Sequence, residues 1–209
     1  MKNKQEIKNS IIELMQSNLY ENVLDINLLP ASGSSRVYYR ISTEKDTFIA
    51  TYNSNIEENK AFLIFSKHFE SLNLPVPQIL AVNADMDCYI QSDLGDTSLF
   101  NYVQDCVKNN LYNDETIELY KDAISNLVDF QIKGNINLDY SVAYPSSSFD
   151  RNSILDDLNY FKYYFLKVND EIVFNESKLN ADFHNIANYI IEAPADYFMY
   201  RDFQSRNIM

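Results

Sequence analysis

"YRDFQSRNIM", Tyr200 to Met209, is the stretch on which the interpretation of the whole chain turns. It sets Arg201 beside Asp202, leaves four residues, and then presents Asn207. The aromatic run "DYFMY", residues 196–200, leads into it as an extended segment would. Asp and Asn are common in loops, where their side chains cap their own backbone, so the spacing alone also fits a plain surface turn. Its meaning depends on the residues before it.

With 209 residues, 46% hydrophobic and 14% aromatic, the chain has enough apolar surface to offset the ordering entropy that keeps polar chains unfolded. One good core or two small lobes are expected. A net charge of -13 repels a phosphate backbone and an anionic membrane surface, which argues against nucleic acid and membrane as partners. The opening "MKNKQEIKNSIIELMQSNLY" lacks the apolar core of a signal peptide, and no stretch is long and apolar enough to span a bilayer, so a soluble, cytoplasmic protein is expected. Cys88 and Cys106 lack metal-ligand spacing and read as reduced packing residues, and His68 and His184, alone in helical patterns, are given no role.

Ile7, Ile11, Leu14 and Met15 recur at helical spacing and predict a short first helix. Three strand-like runs come next, over residues 23–30, 36–41 and 47–52, the last two joined by a short polar link that suits an antiparallel hairpin. Residues 56–72 carry Phe62, Phe65, Phe69 and Leu72 on one helical stripe, with Glu58 on the same stripe. Pro75 and Pro77 stop that helix and open two more extended runs, the second being Cys88 to Gln91. A polar turn at Ser92 to Gly95 then leads into helices, the first capped by Asp96 or Thr97.

Ile117, Tyr120, Ile124, Leu127 and Val128 mark a long second helix of this part, with Gly134 as its left-handed cap. Two further stripes are present, Ile154, Leu158, Phe161 and Phe165, then Leu179, Phe183, Ile186 and Ile190. The pattern predicts an α+β protein: an antiparallel β-sheet lobe over 1–91, a hinge at 92–95, and a helical lobe over 96–209.

Kinase catalytic loops read His-Arg-Asp with Asn five positions after the Asp, the Asp meeting the acceptor hydroxyl and the Asn holding magnesium on the nucleotide phosphates. Asp202 and Asn207 have that spacing and come after a small sheet, an acid-bearing helix, a hinge-like turn and a set of helices. With "ASGSSRVYYRI", "EENKAFLIFSKHF", "YIQSDLGDTSLF" and "DDLNYFKYYFL", the chain resembles the aminoglycoside phosphotransferase and choline kinase-like superfamily. Within it, the chain looks most like bacterial phosphotransferase-domain proteins similar to the anomeric kinases of cell-wall amino sugars.

That resemblance implies a protein-kinase-like two-lobe fold and transfer of a phosphoryl group from ATP or GTP, with Mg2+, to a hydroxyl of a sugar, amino sugar or related small molecule. It makes Asp202 the base, Asn207 the magnesium ligand, and Arg201 either a brace for the loop or a phosphate contact. Gly33, Ser34 and Ser35 would cover the phosphates, where a plain β-turn is the alternative. Glu58 would be the helix acid that pairs with a strand lysine, but Thr51 stands where that lysine belongs. Arg40 is then the candidate substitute. Backbone groups at Ser92, Asp93 and Leu94 would meet the purine edge, and Asp156 and Asp157 would border the acceptor pocket or simply ride on a core helix.

Kinases take a second metal ligand from an Asp beyond the catalytic loop, and only Ile208 and Met209 come after Asn207. The expectation is therefore an incomplete helical lobe, weak or absent phosphotransfer by these residues alone, and self-association through apolar surface near residues 197–209. Two alternatives stand beside this reading: a non-catalytic nucleotide- or sugar-binding regulatory module, and a kinase of aminoglycoside antibiotics.

Overall fold

Asn3 starts the first helix, α1 (Lys4–Leu14), through a capping box: its side chain accepts the Glu6 N–H while the Glu6 carboxylate accepts the Asn3 N–H at 2.7 Å. The four apolar residues picked out by their spacing, Ile7, Ile11, Leu14 and Met15, are all buried. A π-type turn, Met15–Leu19, closes the element. The computed structural model describes residues 2–31, 33, 35–109, 111 and 113–209.

The described residues form an α+β protein with a five-stranded antiparallel sheet and six α-helices. The strands are β1 (Asp25–Leu28), β2 (Val37–Ser42), β3 (Thr47–Tyr52), β4 (Ile79–Val82) and β5 (Cys88–Ser92), in the order β1-β2-β3-β5-β4. Period-2 alternation divides the sheet into two faces. Tyr39, Ala50 and Ile90 pair across three strands and join Ile41, Tyr52 and Cys88 in a core with the buried face of α1. A fully buried isoleucine such as Ile90 or Ile11 contributes about 1.5–3 kcal/mol. Cys88 lies inside this core, where burial pushes its thiol up to about 12, as suits an inert packing cysteine.

The opposite face carries the alternate residues: Tyr38, Thr51 and Tyr89 in one cross-strand row, Arg40, Ile49 and Gln91 in the next. Helix α2 (Ile56–Ser71) meets this face through Phe62, which stacks on Tyr89 with ring centroids 5.3 Å apart. Of the predicted stripe, Phe69 is buried and Phe62, Phe65 and Leu72 are half-buried.

Beyond β5 come α3 (Leu99–Lys108) and α4 (Asp114–Ile132). The cap of α3 is Ser98, whose hydroxyl accepts the Asn101 N–H, and not Asp96 or Thr97; Asp96 is held by Arg40 instead. Gly134 does not adopt the left-handed backbone expected of it. Its small size matters for another reason, since a Cβ there would sit 2.4 Å from the Phe130 carbonyl oxygen and 3.0 Å from Phe69. The predicted apolar stripe of α4 lies in the helix as read, yet Ile117, Tyr120, Ile124 and Val128 are exposed, and burial falls on Thr116 and Phe130.

The chain divides into two compact units, Met1–Tyr144 with Tyr200–Met209, and Pro145–Met199. In the second, α5 (Arg151–Phe161) packs against α6 (Glu176–Ile190) through Ile154, Phe183 and Ala187. A π-type turn, Lys162–Leu166, continues α5, with the Lys167 N–H donating to the Lys162 carbonyl. An extra residue in a turn rotates the succeeding residues by about 100° around the helix axis. The predicted stripe breaks there: Phe161 and Phe165 are exposed, whereas Lys162 is buried. Among the described residues no helix is long and apolar enough to cross a membrane.

Candidate functional site

The loop Tyr200–Met209 is held at both ends within the first unit. At its start, Tyr200 stacks edge-on against Phe130 of α4 at 5.1 Å and against Phe203 at 5.5 Å. Phe130 in turn meets Phe69 of α2 edge-on at 5.1 Å, so aromatic packing ties the loop to the helix that carries Glu58. Burial pushes the Tyr200 phenol up, and the ring where kinase loops have His serves here as a packing anchor. At its end, the Ile208 carbonyl accepts the Leu99 N–H of α3 at 2.8 Å, and the Arg206 guanidinium lies 4.5 Å over the Phe100 ring.

Between these anchors the backbone turns sharply. Asp202 has φ 55°, the left-handed region that Asp and Asn enter more readily than other side-chain-bearing residues. The Asn207 side chain donates to the Asp202 carbonyl at 3.0 Å, and a short 3-10 turn, Ser205–Asn207, sets its position. The two residues singled out by spacing thus meet across one closed turn, with Asp202 and Arg201 exposed. Donation through the amide nitrogen leaves the carboxamide oxygen of Asn207 as the acceptor suited to a hard cation. Among the described residues no group of three His, Cys, Asp or Glu side chains could hold a metal ion by itself. Magnesium normally keeps water and substrate phosphates as most of its ligands, so one protein oxygen here is a fit only together with a nucleotide.

Glu58 sits at the third position of α2, where its N–H donates to the Asn55 cap at 3.1 Å. Both carboxylate oxygens are engaged: Oε1 by Arg36 at 2.9 Å and Oε2 by the Asn53 amide at 2.8 Å. Asn53 is 1% exposed and fully used, since its carbonyl also accepts from the buried Asn59 and its side-chain oxygen accepts the Asn55 N–H. The Arg36 guanidinium lies 5.3 Å over the Phe62 ring. Thr51, at the expected lysine position, is fully buried in the row beside Tyr38 and Tyr89. Burial pushes the Tyr89 phenol well above its ordinary range, against the lowering effect of Arg36, which keeps the ring a neutral packing surface.

Arg40 is bound up elsewhere. Its guanidinium reaches Asp93 at 2.6 Å, Asp96 at 2.7 Å and the Gly95 carbonyl at 3.1 Å, fastening β2 to the turn after β5. Its hydrogen bonds to these carboxylates, Asp93 foremost, raise its pKa further. Gly95, at φ 86°, provides the bend, and its N–H donates to Asp93 at 2.9 Å. At the proposed hinge, the Ser92 N–H already donates to the Gln78 carbonyl at 3.0 Å, while Leu94 is exposed.

Gly33 and Ser35 are exposed in the β1–β2 connection, where a Cβ on Gly33 would meet nothing within 4 Å. Ser34 lies outside the described residues. Asp156 and Asp157 are exposed on α5. A hollow of about 610 Å³ lined by Lys2, Glu6, Tyr52 and Asp87, among others, contains none of these site residues.

The structure therefore brings together three groups: Asp202 with Asn207, Arg40 with Asp93 and Asp96, and Glu58 with Arg36. Sequence reasoning missed the last cation. Alternation along "RVYYRI" sets Arg36, just before β2, on one side with Tyr38 and Arg40, which was legible, but only the contacts of Phe62 with Tyr89 and Arg36 show that this side faces α2. The chain matches no protein-family model and no curated protein sequence.

Proposed function

We propose that this protein is a small-molecule kinase of the protein-kinase-like, two-lobe type, similar to the aminoglycoside phosphotransferase and choline kinase-like superfamily. Its donor is ATP or GTP, and its acceptor is a hydroxyl of a sugar, amino sugar or related alcohol. One observation carries the reading: Asp202, at positive φ, heads a loop that the Asn207 side chain closes onto the Asp202 carbonyl at 3.0 Å. Left-handed backbone at a residue with a side chain costs free energy and collects at functional sites.

In this reading the Asp202 carboxylate accepts the proton of the acceptor hydroxyl. The freed oxygen forms a bond to the γ-phosphorus as the bond from that phosphorus to the β–γ bridging oxygen breaks, leaving the nucleoside diphosphate. Asn207 would hold the magnesium ion, which when bound neutralises phosphate charge. Tyr200 fixes the loop by packing, and Arg201 stands beside the base to brace it or meet phosphate.

Isothermal titration with Mg·ATP and Mg·GTP tests this. Binding of at least one nucleotide should require magnesium, weaken in Asn207→Ala and survive largely unchanged in Asp202→Ala, which removes the base without removing a phosphate ligand. Absence of magnesium-dependent binding for both nucleotides would sink the proposal. A second reading, a nucleotide- or sugar-binding module without chemistry, draws on the buried Thr51 in place of a strand lysine. Binding that ignores both magnesium and Asn207 would favour it.

A further inference from the structure

We infer that Arg36 is the cation that receives the nucleotide's phosphates, with Glu58 as its positioning residue, so that the residue leading into β2 supplies the charge kinases usually take from β3. The inference rests on the kinase reading above and adds to it a phosphate ligand from just before β2. Kinases pair a lysine of the third strand with a helix acid so that the lysine can touch the α- and β-phosphates. Here the acid is present on α2 and its partner is Arg36, at 2.9 Å.

Four observations support the assignment. Thr51 is enclosed and uncharged, and the cross-strand register sets it opposite Tyr38, one step along from where Arg36 enters the same face. Glu58 is gripped at both oxygens, so it holds the guanidinium in one place. Arg36 immediately follows, in sequence, the "ASGSS" stretch that would cover phosphates. Arg40, another cation on this face, about four residues or 13 Å along the strand, has Asp93 and Asp96 as its ion-pair partners, whereas the acid of α2, Glu58, takes Arg36 as its own.

An arginine fork can hold a carboxylate and a phosphate oxygen together, which a point-charge ammonium does less well. In a chain of net charge -13, a polyphosphate needs such a local cation to overcome the surrounding field.

The test is titration of the intact chain and its variants with Mg·ATP and Mg·GTP, and with adenosine and guanosine as phosphate-free probes, alongside circular dichroism to verify folding. Arg36→Gln should weaken nucleotide binding by about ten- to a hundredfold and leave nucleoside binding unchanged. Arg36→Lys should recover part of the loss, and Lys45→Gln, which removes an equal charge from an exposed site, should show none. Phenylglyoxal labelling of the unaltered protein supplies a second readout that no folding defect can confuse: Arg36 should be protected by Mg·ATP or tripolyphosphate and not by adenosine. Nucleotide binding that persists in Arg36→Gln, or labelling that phosphate does not slow, overturns the role of Arg36 and leaves the kinase reading standing. Failure of the unaltered chain to bind either nucleotide overturns both.

Discussion

The sheet with α1 and α2, and the helical unit Pro145–Met199, draw on the same stock of aromatic and branched residues and use them differently. In the sheet, Tyr39, Tyr89, Ile41 and Ile90 are all at most 1% exposed, and the polar side chains of Asn53 and Asn59 are buried with backbone and carboxylate partners. In the helical unit only Ile154, Phe183, Ala187 and the lysine Lys162 are buried, while Tyr160, Tyr163, Tyr164, Phe165 and Tyr189 stand exposed. Aromatic content therefore measures the capacity to make a core. Register and covering elements determine whether the core is made.

Single apolar residues put the contrast at greatest risk. Ile90→Ala, in the sheet core, should cost about 2–5 kcal/mol, because it removes buried methyl groups and leaves a cavity. Ile190→Ala, at 42% exposure in α6, should stay within about 0.5 kcal/mol. Urea unfolding followed by circular dichroism compares the two, and equal midpoint shifts would contradict the distinction drawn between the regions.

Buried polar groups probe the same contrast at intermediate size. Asn59 donates to the carbonyls of Asn53 and Met86 at 2.8 and 2.7 Å, so Asn59→Ala strands two acceptors and should cost about 1–3 kcal/mol. Lys162 donates to Asn180 at 2.9 Å and lies 4.9 Å from the Tyr163 ring centre. Exchanging it for an apolar chain of similar length, Lys162→Met, should be neutral or stabilising within about 1 kcal/mol, since the desolvation of a buried charge is relieved. Thermal melts of both variants decide this; a larger loss from Lys162→Met than from Asn59→Ala would reverse the ranking.

The smallest expected effect is acid dependence at the turn after β5. Desolvation works to raise the Asp93 pKa, but hydrogen bonds from Arg40 and the Gly95 N–H outweigh it and hold the carboxyl below its ordinary value of 3.8. As pH falls the unfolded chain takes up this proton first, so the contribution is whole above about pH 4 and disappears as pH drops through the folded value. Stability measured by urea between about pH 6 and pH 3 should fall more steeply in the unaltered chain than in Asp93→Asn. Parallel curves would show that the Arg40–Asp93 link adds nothing to folding.

Much of this was legible in one dimension. Apolar spacing at Ile7, Ile11, Leu14 and Met15 marks a face that is indeed buried, because a 3.6-residue period and a single covering layer leave no second solution. Of the five strands β1, β2, β3 and β5 were each located to within two residues, and β4 falls in the extended run placed after Pro75 and Pro77, since alternation and flanking turn residues are local signals. The cap of α3 moved to Ser98 because Asp96 has a stronger partner, an arginine 56 residues away in sequence. Gly134 was recognised as special for the wrong reason: its backbone is ordinary, and what excludes a Cβ is the approach of Phe69 and the Phe130 carbonyl. In α5 the stripe failed at Phe161, the last residue before the π turn, where burial passes to Lys162, four positions beyond Leu158.

Amino-acid order alone was enough for the α+β class, the positions of the strands and helices, and the pairing of Asp202 with Asn207 on one short loop, because these depend on residues within a few positions of each other. It took the folded chain to establish that β5 lies between β3 and β4, that Arg40 is bound to the turn after β5, and that Arg36 pairs with Glu58. Those outcomes rest on contacts between residues 7 to 56 positions apart in the chain, where charge and packing select partners that local spacing does not encode.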